Sequence, residues 1–198
     1  MNPGLHLYAR SRALPLTLAT LAATAGFAVW AAGALDAYLD PGRRVHVTAL
    51  APLLAAAAIG ASLRSDSDEL DRTAVRPWWS RRLAHLLALT ALASVLLTPV
   101  VAGHTETFGP PVMIRDILGC VGIVALSAVV LGARLSWLPA FGYVSAVYLA
   151  SSGAHGRAAT VWAWPVQPGP QPGAWAAALA AFALGAVLYA VRGARPGG

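Results

Sequence analysis

Six apolar runs, most of them close to twenty residues long and bounded by charge, leave this chain few ways to fold. Hydrocarbon offers no partner to an open backbone N–H or C=O, so a run of about 20 apolar residues predicts a membrane-crossing helix. The runs cover residues 13–35, 45–63, 83–103, 112–133, 135–152 and 174–191. At about 20 residues each they occupy roughly 120 positions of the chain. In a chain of 198 residues, 58% hydrophobic and only 11% charged, this leaves no room for a second, soluble domain. The expectation is a single all-α domain over 1–198, a polytopic integral protein of the cell membrane with six transmembrane helices. The first run follows Arg10 and Arg12 as a secretory signal would, but it exceeds the usual apolar core of one and five more follow, so it reads as an uncleaved helix.

Sorting the arginines by loop gives a direction. With the amino terminus inside, the inner side carries Arg10, Arg12, Arg64, Arg72, Arg76, Arg81, Arg82, Arg134, Arg192 and Arg195. The outer side has Arg43, Arg44, Arg115 and Arg157. Ten against four is a positive-inside bias and predicts that both termini are cytoplasmic. Trp30, Trp137, Trp162, Trp164 and Trp175 fall near the run ends, where an indole sits best at the membrane interface. The pI near 10.4 has its explanation here, and nucleic acid is not an expected partner.

Two loops stand out. The inner loop 64–82 starts with Asp66 or Ser67 as a helix cap, then Asp68, Glu69 and Asp71 in the first turn, with Leu70 and Val75 apolar and Pro77 as the stop. It predicts a short charged helix, followed by Trp78 and Trp79 beside Arg81 and Arg82, a grouping suited to membrane lipid headgroups. The outer loop 153–173 holds Trp162, Trp164, Pro165, Pro168, Pro170 and Pro172. Prolines at that density forbid a continuous helix, and the segment is expected to fold down as a cap over the outer end of the bundle.

Several chemistries are excluded or weakly supported. All 14 basic residues are Arg, so a Walker A phosphate loop, a pyridoxal Schiff base and a lysine base are absent, and the chain is not expected to be an enzyme. Cys120 is the single cysteine and sits in an apolar run, so it reads as a buried hydrophobe. His46, His104 and His155 map to outer helix ends with Glu106, Arg115 and Asp116 at about the same level, forming a candidate outer polar site. No pair of these histidines has the spacing of metal ligands on one helix, and His85 lies at the other end, so neither a metal nor haem nor any other cofactor is expected. Charge at the depth of Arg115 needs a partner; Asp36 and Asp40 are candidates, since Asp116 leaves the helix about 100° away. Ser145 and Ser151 lack both a nucleophile-elbow setting and a later histidine, which removes an intramembrane serine protease.

Six spans with cytoplasmic termini, a charged helix between the second and third, and a capped outer region before the sixth resemble the membrane subunits of ABC-2 type ATP-binding-cassette exporters. The stretches D68-E-L-D-R-T-A-V-R-P-W and L131-G-A-R-L-S-W-L-P are similar to those of small alanine-rich actinobacterial permeases. The chain departs from the broader class in being short, with little amphipathic helix before the first span. The resemblance implies a transport subunit paired with a second copy or a sister permease. It also implies a separate cytoplasmic ATPase docking on Asp66, Asp68, Glu69, Leu70, Asp71, Arg72 and Val75. The competing readings are an ion- or proton-coupled carrier, a membrane scaffold and, last, a metal- or haem-dependent enzyme. In a background lacking Cys120, an impermeant thiol reagent on intact cells should label Gly109→Cys and Gly169→Cys but not Ser67→Cys; labelling at 67 would overturn the orientation.

Overall fold

A computed structural model describes residues 14–38, 45–64, 78–101, 109–150, 156–169 and 171–195. These form seven α-helices, with no β-strand among the described residues. They are α1 (Leu14–Tyr38), α2 (Val45–Ser62), α3 (Trp79–Leu97), α4 (Pro110–Leu131), α5 (Trp137–Ala150), α6 (Arg157–Trp162) and α7 (Pro172–Arg192). Five of the six apolar runs become α1 to α5 and the last becomes α7, with α6 in the Trp- and Pro-rich segment between α5 and α7. Three helices, α3, α4 and α7, are long and apolar enough to cross a membrane, while α1 and α2 carry shorter apolar stretches at Pro15–Trp30 and Leu50–Ser62. With 14 residues, α5 is only about 21 Å long, well short of a hydrocarbon core of about 30 Å.

Local chemistry sets the boundaries. The third helix begins at Trp79 rather than 83, so Arg81 and Arg82 lie in its first turn. It tightens into a 3-10 turn at Thr98–Val101, where Pro99 cannot donate to the α-helical ladder. Pro52, by contrast, is carried within α2. Pro110 and Pro111 open α4 and Pro172 opens α7, in positions where a missing N–H costs nothing. Gly132 and Gly193 stop the same two helices with φ of 86° and 75°, which a side chain would strain.

The centre of the bundle is α4, buried along most of its length and packed closely on α7. Their crossing is backbone on backbone. A Cβ at Gly122 would meet the backbone of Ala181 and Phe182, and one at Gly185 would meet the carbonyl of Gly122. On the opposite flank of α4, α2 packs through Gly60, where a Cβ would come 2.5 Å from Val124 Cγ1 and 2.6 Å from Ser136 Oγ. Gly26 on α1, by contrast, has nothing within 4 Å of an added Cβ.

Short contacts bring one set of helix ends together. Tyr189 Oη donates to the Leu63 carbonyl at 3.4 Å, and Ser62 Oγ lies 3.3 Å from His85 Nε2. The Arg195 amide donates to the Ala128 carbonyl at 2.9 Å, and its guanidinium to the Val130 carbonyl at 3.1 Å. This end therefore carries Arg64, Arg81, Arg82, Arg134, Arg192 and Arg195, and we call it the arginine end. The opposite end, formed by the starts of α4 and α7 with α6 between them, is the cap end. The glycine crossing predicts that Gly185→Ala lowers stability by about 1–3 kcal/mol, because two backbones must separate. Gly26→Ala should leave the melting of detergent-extracted protein unchanged or slightly raised.

Candidate functional site

The cap end is built from a segment that cannot be one helix. It starts at Gly156 with φ 107°, makes the single short helix α6, turns at Ala163, and continues as a 3-10 turn at Trp164–Val166. Proline at 165 and 168 keeps the backbone from returning to a helix, and residue 167 is extended. The fold-down expected of this segment is what the structure has. Trp164 is the plug. It is 3% exposed, and a Cβ at Gly119 would collide with its six-membered ring. Its other side meets the Tyr143 ring at 6.0 Å between centroids, and Tyr143 Oη donates to the Trp162 carbonyl at 2.5 Å. Gly173 admits Thr160 so closely that a Cβ there would lie 2.6 Å from its Oγ1, which seats α6 on the start of α7. Trp175 Nε1 donates to the Gly169 carbonyl at 3.3 Å.

About one helical turn before Gly119, nearer the start of α4, lies Arg115, with no exposed surface, the largest fully buried side chain among the described residues. Its Nε donates to Asp116 Oδ1 at 2.9 Å. Its Nη2 donates to the Gln167 carbonyl at 2.9 Å and its Nη1 to the Pro168 carbonyl at 3.4 Å. A guanidinium taken out of water must find both a counter-charge and acceptors for its N–H groups. Asp116 supplies the first and the cap backbone the second. The expectation that the counter-charge lies on another element is corrected here. The offset of 100° between neighbours concerns Cβ directions, and the long Arg115 side chain curls back over it. Asp36 and Asp40 have no described side chain.

Of the candidate outer polar site, the structure thus joins Arg115 and Asp116. His46 lies in the first turn of α2 and its side chain is outside the described set. His104, Glu106 and His155 lie outside the described residues, as do Asp66, Asp68, Glu69, Leu70, Asp71, Arg72 and Val75 of the candidate docking helix. The described residues flanking that loop, Arg64 and Trp78, are at the arginine end. Among the described residues no cluster of His, Cys, Asp and Glu is placed to hold a metal ion. Sequence reasoning missed Trp164, Gly119 and Tyr143 as a unit, because a plug and its seat on different helices share no local pattern.

His85 and Ser62 at the arginine end do not form a nucleophile and base. Ser62 Oγ donates to the Ile59 carbonyl at 2.6 Å, so its proton is committed within its own helix and the imidazole contact at 3.3 Å is secondary.

Compared with known protein families, curated proteins and solved structures, the chain matches none.

The ion pair makes a prediction about coupling. Arg115→Met leaves a buried carboxylate without its counter-charge and should cost about 3–5 kcal/mol, while Arg115→Met with Asp116→Leu should recover much of that. Thermal unfolding of the two single variants and the double variant in detergent measures the cycle. Additive losses would show that the pair is not formed.

Proposed function

We propose that this chain is a multi-pass membrane protein whose six spans are α1 to α5 and α7, with both termini in the cytoplasm, and that it serves as the transmembrane subunit of an ATP-binding-cassette exporter. In this reading the arginine end is the cytoplasmic face and the cap end faces out. The segment 135–152, with α5 and the turn before it, crosses through a locally thinned bilayer. A second permease completes the path, and a separate ATPase docks on the loop 64–82.

The observation that carries the reading is the asymmetry of the bundle. At one end a segment between α5 and α7 is seated on α4, Trp164 against Gly119 and the carbonyls of Gln167 and Pro168 on Arg115. The other end is the one at which the charged loop leaves α2 and returns to α3. A chain that moves cargo under the force of an outside motor needs a closed side and a handle on the opposite side, joined by helices stiff enough to pass movement between them. The resemblance of residues 68–78 and 131–139 to ABC-2 permeases supports the same reading, and the lack of Lys agrees with a nucleotide-hydrolysing partner on a separate chain.

Reversing both charges, Glu69→Arg with Arg72→Glu, removes the directional surface of the loop and leaves every span unchanged. Expression and membrane insertion should persist, and co-purification of an ATPase subunit should fall sharply. Gently extracted parent protein that carries no ATPase would end the exporter reading in favour of an ion-coupled carrier or a scaffold.

A further inference from the structure

No further inference is drawn: the strongest candidate, the exposed apolar face of α1 around Ala22, Gly26, Phe27 and Trp30, is an unpartnered helix face, and nothing in the structure shows what covers it.

Discussion

A buried guanidinium fixes more of this structure than any other single group. Hydrocarbon, and the inside of a helix bundle, charge heavily for an ion without partners. Arg115 meets that cost with one neighbouring carboxylate and two carbonyls from a segment some fifty residues away in sequence. Once those carbonyls are held, the Trp–Pro segment has little choice of position, and Trp164 fits the one place on α4 where a glycine leaves room for its ring. The same helix, α4, also crosses α7 backbone to backbone through Gly122 and Gly185, so the cap and the packing core share one rod.

The two ends of that rod have opposite characters. At the cap end the charge is internal, paired and shielded. At the arginine end the charges are displayed at the surface, with tryptophans beside them. This division is what a helix bundle acquires when one end must exclude water and the other must meet a charged layer or a partner. In the proposed exporter, the loop between α2 and α3 meets the motor at the arginine end.

The helical elements were legible because each apolar run is long and its interruptions are Gly, Pro or Arg. The start of α3 was not, since the charged residues Arg81 and Arg82 lower the hydropathy of a turn that is nonetheless helical. Gly122 and Gly26 both lie in apolar helical runs, yet only Gly122 meets a neighbouring backbone; the partner helix distinguishes them. Arg115 and Asp116 were visible as a costly pair of charges, but angular spacing alone hid their contact because it ignores the reach of an arginine. The seat of Trp164 depends on residues 119 and 143, and no pattern local to 164 could have named them.

The shut cap can be measured on the one native thiol. Cys120 is 1% exposed and is the residue after Gly119, on which the Trp164 ring sits. In membranes treated with a small permeant maleimide, the parent thiol should stay protected relative to the detergent-denatured chain, and Arg115→Met should release the latch and let it react. A parent thiol that reacts as fast as the denatured one, or an Arg115→Met variant that is equally protected, would contradict the account.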